Sequence, residues 1–196
     1  MKYSEEGSWV LDQFAGSGTT LVEAKLLNRN AIGVDINPKA IALSEKNLNF
    51  ESGSRSKIVL KNGSAVDLAF IKDNKIDFIC THPPYADIIK YSDGIAGDLS
   101  ILKEKEFVGE ILKVAKESYR VLKNGKYCAV MIGDIRQKGN VVPLGFELMQ
   151  QYLCAGFKLK EIIIKEQHNC KSTDKWAGVK KSFLLLAHEY IFVFYK

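Results

Sequence analysis

No apolar run in the 196 residues approaches the ~18 needed for a membrane helix. The opening "MKYSEEGSW" has none of the apolar stretch of a secretory leader. Together these absences predict a cytoplasmic chain without a membrane partner. Cysteine is sparse and scattered: Cys80, Cys128, Cys154 and Cys170 fall singly, with no CxxC and no Cys/His ligand spacing. That pattern argues against a disulfide framework and against a zinc site, leaving core thiols and no metal. Repeats and low-complexity tracts are missing too, and the one polar break is "ESGSRS" at 51–56. Proline is rare, at four residues, and two of the four stand side by side at Pro83 and Pro84.

What is present describes an ordinary globular protein: 46% apolar and 26% charged residues, enough for one domain spanning 1–196 with a sizeable core. No separate target-recognition domain is evident. Short apolar runs bounded by turn residues, "SWVLD" (8–12), "NAIGVD" (30–35), "SKIVLK" (56–61), "KIDFIC" (75–80) and "KYCAVMI" (126–132), read as parallel strands covered on both faces. Helical spacing fills the gaps in "TTLVEAKLLNR", in "PKAIALSEKNLNF" with Pro38 in a first turn, and in "EFVGEILKVAKESYRVLKNG", predicted to stop at Gly125. A further helix, "PLGFELMQQYLCAGF", precedes two strand patterns, "KLKEIIIKE" and "HEYIFVFYK", placed to pair antiparallel. The sum is an α/β fold: a Rossmann-like, doubly wound and mostly parallel sheet with an antiparallel C-terminal strand pair.

Ligands on such sheets bind beyond the carboxyl ends of the strands, and three segments fall there. "LDQFAGSGTT" leaves a strand at Asp12 and turns through Gly16 and Gly18 into a helix whose first amides, at Thr19 and Thr20, suit a carboxylate. It is not the GxGxxG dinucleotide fingerprint, for no third glycine follows at the required spacing. "GVDINP" ends the next strand on Asp35, placed either to grip two ribose hydroxyls or to cap the helix that follows. In "KNGSAVDL", Ser64 or Asp67 is placed to meet an aromatic ring, or else to form a plain turn and cap.

The adjacent prolines belong to a fourth segment, "THPPY" at 81–85, where they stop the strand "KIDFIC". The same residues would serve as a plain strand-terminating turn. The net charge of +5 is unevenly spread. Lys171, Lys175, Lys180 and Lys181 surround Trp176 between 168 and 181, a pattern suited to phosphates and a stacked base, or to a solvated loop.

"DQFAGSGTT", "GVDINP" and "THPPY", in that order and at successive strand ends, resemble the cofactor motif, ribose acid and catalytic motif of DNA amino-methyltransferases, enzymes that methylate adenine N6 or cytosine N4. "LKNGKYCAVMIGD", "VVPLGFEL", "AGFKL" and "AHEYIFVFYK" resemble later parts of that family, so the likeness covers nearly the whole chain. It implies S-adenosylmethionine as cofactor, held by Asp12, Phe14, Ala15, Gly16, Gly18, Thr19, Thr20, Asp35, Ile36 and Ser64. It also implies a DNA partner met by the lysine loop, a setting in restriction-modification, and catalysis by His82, Pro83, Pro84 and Tyr85. In that scheme His82 and the Pro83 carbonyl accept the hydrogens of an exocyclic amine while Tyr85 stacks on a flipped base. His82 could instead bond the loop backbone.

Two residues depart from the family pattern: Gln13 stands for a proline, and His82 for Asp, Asn or Ser. Eleven residues precede Asp12, where relatives carry a further cofactor-binding segment, which points to a partner chain or an N-terminal segment that completes the site. RNA guanine-N2 methylation, protein glutamine methylation, and a cofactor-binding subunit with little activity of its own are the competing readings.

Overall fold

The computed structural model describes residues 2–86, 92, 94–167 and 186–196. The predicted lysine-tryptophan loop at 168–181, and with it Lys171, Lys175, Trp176, Lys180 and Lys181, lies outside them, as does Cys170.

Five strands run parallel: β1 (Trp9–Asp12), β2 (Asn30–Asp35), β3 (Ile58–Asn62), β4 (Ile76–Thr81) and β5 (Leu122–Ile132). Alternating with them are α1 (Thr19–Leu26), α2 (Pro38–Leu48) and α3 (Glu104–Val121). A small hairpin follows, β6 (Ile135–Gln137) and β7 (Asn140–Val142), then α4 (Leu144–Cys154), β8 (Lys158–Glu166) and β9 (His188–Tyr195). The main sheet has the order β3-β2-β1-β4-β5-β9-β8, with β9 antiparallel to both its neighbours. The expected class and terminal pair are therefore observed.

Local chemistry explains the boundaries. Asn37 caps α2 by accepting from the Lys39 N–H at 2.9 Å, with Pro38 in the first turn, so the cap is Asn37 and not Asp35. Along α3, Phe107, Ile111, Val114, Ala115, Ser118 and Val121 recur at helical spacing and are buried. The glycine stop expected at Gly125 is wrong. α3 ends at Val121 and the chain enters β5 at once, while Gly125 lies inside β5 at φ +75°, near a register shift against β4. The end of α3 is satisfied from elsewhere: Lys196 Nζ donates to the carbonyls of Tyr119 and Leu122 at 2.6 and 2.7 Å. Core thiols hold for Cys128 and in part for Cys80, whereas Cys154 is exposed. Burial pushes the Cys80 thiol up to about 12, so it stays protonated.

β1 sits in the middle of the parallel strands. Its chain leaves through α1 towards β2 on one side, with β4 on the other, and this reversal opens a crevice at the carboxyl ends. The glycine turn, the Asp35 segment, the 61–68 segment and the 81–85 segment each follow one of those ends.

Candidate active site

At that crevice lies a cavity of about 460 Å³. Its walls hold Asp12, Phe14, Ala15, Gly16, Thr19 and Thr20 from the glycine turn and α1, Asp35 and Ile36 after β2, and Ser64 after β3. His82, Pro83 and Pro84 close the other side. The structure thus brings together nearly all the residues expected to bind cofactor and three of the four expected to catalyse.

Gly18 is the exception in the first group. It supports the turn from behind, at φ +84°, where a Cβ would come within 2.8 Å of Ser44 Oγ. Ser44 in turn donates to the Gly16 carbonyl at 2.9 Å, so turn and α2 lock together. α1 starts without a side-chain cap, leaving its first amides for another acceptor. Asp35 organises the rest: its two oxygens accept from Gly16 N–H at 2.8 Å and Asn37 N–H at 2.9 Å. Each oxygen retains a second lone pair, and the residue lines the cavity. Asp67, the alternative to Ser64, accepts from Ala69 N–H instead and does not line the cavity.

Asp12 is buried, and its Oδ1 accepts from Phe14 N–H at 3.1 Å and from the Thr81 hydroxyl at 2.8 Å. Burial raises its pKa, against bonds from Thr20, Thr81 and Phe14 that favour the carboxylate. Thr81 also accepts from Gln13 N–H at 3.2 Å, so one hydroxyl ties the end of β1 to the end of β4. Gln13 accepts from the Ser118 hydroxyl of α3 at 2.8 Å. Its buried Nε2 has no protein partner.

The wall that carries His82 and the prolines is held from the far end of the chain. Tyr85 donates its hydroxyl proton to Glu189 Oε1 at 2.5 Å, and His82 Nε2 lies 3.0 Å from the same hydroxyl oxygen. The other Glu189 oxygen accepts from Lys165 Nζ at 2.6 Å. Burial would raise the Glu189 pKa, but bonds from Lys165, Tyr85 and Gln167 outweigh it and hold the group below the usual carboxylate range. With that carboxylate ionised and the Tyr85 proton committed to it, His82 Nε2 must donate to the tyrosine oxygen. The acceptor lone pair of a neutral imidazole then sits on Nδ1. Burial lowers the His82 pKa; Glu189 opposes this and Lys165 assists it, so the ring is neutral at pH 7.

Tyr85 itself does not line the cavity. Its ring meets His82 edge-on and lies under Gly133, where a Cβ would come within 3.1 Å of it. The neighbourhood expected for it, open to a base, is replaced by a bonded one.

Sequence reasoning missed Glu189, Lys165, Thr81 and Asp98. Asp98 is buried and lines the cavity, and its carboxylate accepts from Ser92 and Ser100 hydroxyls and from Ser100 N–H. No motif announced these residues. For Glu189, the one signal was an acid in the otherwise apolar strand pattern "HEYIFVFY". Among the described residues no cluster of His, Cys, Asp and Glu could hold a metal, and no helix is long and apolar enough to cross a membrane.

A family model described as DNA methylase matches residues 1–46 and 76–196. Type II methyltransferase M.BglI from Bacillus subtilis is 48% identical over 54 residues, which are 28% of this chain and 16% of that protein. A tRNA (guanine(10)-N2)-dimethyltransferase from Methanothermobacter thermautotrophicus is 31% identical over 102 residues, 52% of this chain and 28% of that one. The chain thus spans less than a third of the curated relatives it matches. A SAM-dependent methyltransferase from Methanosarcina mazei has the same fold, with a TM-score of 0.64 and 18% identity over 100% of this chain and 95% of that one.

Proposed function

The chain belongs to the DNA methylase family, and from that premise we propose that it methylates an exocyclic amine of adenine (N6) or cytosine (N4) in DNA, with S-adenosylmethionine as donor. The observation that carries the reading is that one continuous cavity joins the glycine turn and Asp35 to His82 and the two prolines. The uncapped α1 amides suit a carboxylate, and the spare Asp35 lone pairs suit ribose hydroxyls. Gln13 adds a buried amide with no acceptor on a wall of the same cavity. The residues present therefore fit the cofactor, which when bound supplies an electrophilic methyl on a sulfonium.

The protein's own part is to make a poor nucleophile better. An exocyclic amine delocalises its lone pair into the ring, and acceptors on its two hydrogens draw that pair back onto nitrogen. His82 Nδ1 and the Pro83 carbonyl are the two acceptors of this proposal, and Nδ1 then takes the proton that the methylated amine sheds. Glu189 and Tyr85 act through His82 as positioning residues, by holding the tautomer that leaves Nδ1 free.

The test is transfer of labelled methyl from S-adenosylmethionine to DNA, with base analysis of the product. N6-methyladenine or N4-methylcytosine supports the proposal. Label in RNA guanine, the reading favoured by the longer match to the tRNA enzyme, or no label despite tight binding of S-adenosylhomocysteine, would sink it.

A further inference from the structure

The described walls of the cavity carry charge of one sign. Asp12, Asp35 and Asp98 line it, and among the described residues no lysine or arginine does. Asp12 and Asp98 are buried, at 5% and 4% exposure. Neutral donors hold all three carboxylates. Phe14 N–H and the Thr81 hydroxyl serve Asp12, the N–H groups of Gly16 and Asn37 serve Asp35, and Ser92 and Ser100 serve Asp98. Such bonds solvate a carboxylate but leave its unit of charge uncompensated. Asp98 precedes a short 3-10 turn, Leu99–Ile101, and follows Gly97, at φ +87°, where a Cβ would come within 3.3 Å of Ile36 Cδ1. Residues 97 and 98 are thus pressed towards the strand end that carries Asp35.

A cofactor of the proposed kind brings one carboxylate, for the α1 amides, and two positive groups, an ammonium and a sulfonium. Transfer removes the methyl together with the sulfonium charge and leaves a thioether that is otherwise the same molecule. On that cofactor reading, we infer that the cavity selects by charge, holding S-adenosylmethionine more tightly than S-adenosylhomocysteine, and that Asp98 is a specificity-determining residue for the choice. A compact space of about 460 Å³ is roughly 10 Å across, so a sulfonium inside it lies within about 10 Å of each carboxylate. At an effective dielectric constant of ~20, one carboxylate at that distance favours a unit positive charge by about tenfold. Burial of Asp12 and Asp98 weakens the screening of both by salt. Burial also raises the Asp12 pKa, and a cation alongside favours its ionised form, so Asp12 joins the effect. The by-product forfeits this attraction at the moment of transfer and leaves more readily than the donor.

Calorimetry without a methyl acceptor compares three ligands: S-adenosylmethionine, S-adenosylhomocysteine, and sinefungin, in which a carbon bearing an ammonium replaces the sulfonium. The parent should bind the two cationic ligands about tenfold or more tighter than the thioether. Asp98→Asn keeps the shape, because its amide oxygen still accepts from Ser100 N–H and its NH2 can donate to the two serine hydroxyls. In that variant the preference should shrink by about threefold to tenfold, with S-adenosylhomocysteine bound as in the parent. A parent that binds the thioether as tightly as the cationic ligands overturns the inference and leaves the cofactor reading standing. A parent that binds none of the three overturns both. A preference for S-adenosylmethionine that sinefungin does not share would assign the choice to the methyl contact, against selection by charge. An unchanged preference in Asp98→Asn, or an equal loss of all three ligands, would overturn the role of Asp98 and leave it a structural cap.

Discussion

The two walls of the cavity are built in opposite ways. On the side of the glycine turn, the bond that shapes the turn joins Gly16 to Asp35, 19 residues apart, and the supporting contacts come from α2 next door. On the side of His82 and the prolines, Tyr85 is anchored to Glu189, 104 residues further on. The first wall is thus local and mostly backbone, while the second is a side-chain bridge between the loop after β4 and the last strand. A local wall should fail in binding when damaged, and a bridged wall should fail in turnover with binding intact.

The largest expected effect tests the local wall. Asp35→Ala strips the acceptor from two amides and, in the proposed function, from the ribose hydroxyls. Loss of a charge-assisted bond of ~1.5–3 kcal/mol corresponds to a fall of roughly tenfold to more than a hundredfold in S-adenosylhomocysteine affinity. Calorimetry reads it directly. Affinity equal to that of the parent would remove Asp35 from the site.

Next comes the bridge. Tyr85→Phe keeps the ring beneath Gly133 but deletes the hydroxyl, leaving Glu189 short of a donor and His82 free to adopt either tautomer. Methyl transfer should fall about tenfold, the equivalent of ~1.4 kcal/mol in the barrier, while S-adenosylhomocysteine binds as before. A loss in binding with kcat unchanged would mean that the two walls are not separable in this way.

This division also explains what could be read from the sequence. The strand and helix alternation, the glycine turn and Asp35 follow from patterns shorter than 25 residues, and all were legible. Glu189 and Lys165 acquire meaning only when β9 pairs with β8 and β5, which no local pattern encodes. The same reason accounts for α3. Gly125 looked like its stop, but the carbonyls at its end are met by Lys196 from the opposite end of the chain. The β6–β7 hairpin escaped because three-residue strands carry no periodicity, although its turn at Lys138 and Gly139, both at positive φ, is of the kind two-residue hairpins need.

A smaller effect sharpens the electrostatics of the bridge. The groups facing His82 among the described residues are Tyr85, Glu189 and Lys165. Activity should fall as pH drops through the His82 pKa, because protonated Nδ1 donates where an acceptor is needed. Burial places that acid limb below the ordinary histidine value of ~6.5. Lys165 also holds the His82 pKa down, so Lys165→Met should move the limb to higher pH. His82→Asp should remove the limb near neutrality by restoring the family's usual acceptor. A limb that does not move in Lys165→Met would show that the lysine charge is not felt at the ring.

The smallest effect concerns the residue that crosses the division. Gln13 belongs to the local wall, yet its side-chain partner Ser118 lies 105 residues away. In the folded protein without ligand, Gln13→Leu changes two things. It removes the bond from Ser118, worth ~0.5–1.5 kcal/mol. It also removes a buried amide nitrogen with no protein partner, whose burial costs ~1–3 kcal/mol. Ser118 does not become an orphan, because its hydroxyl also lies 2.8 Å from the Val114 carbonyl one turn back. The backbone bond from Gln13 N–H to Thr81 is untouched. Loss and relief nearly cancel, so the net change should stay within ~1 kcal/mol, a shift of about 2–4 °C or less in Tm for a chain of this size. Thermal unfolding without ligand measures it. A larger destabilisation would mean that the Ser118 bridge fastens α3 to the glycine turn, and that the glycine-turn wall depends on distant contacts as much as the His82 wall does.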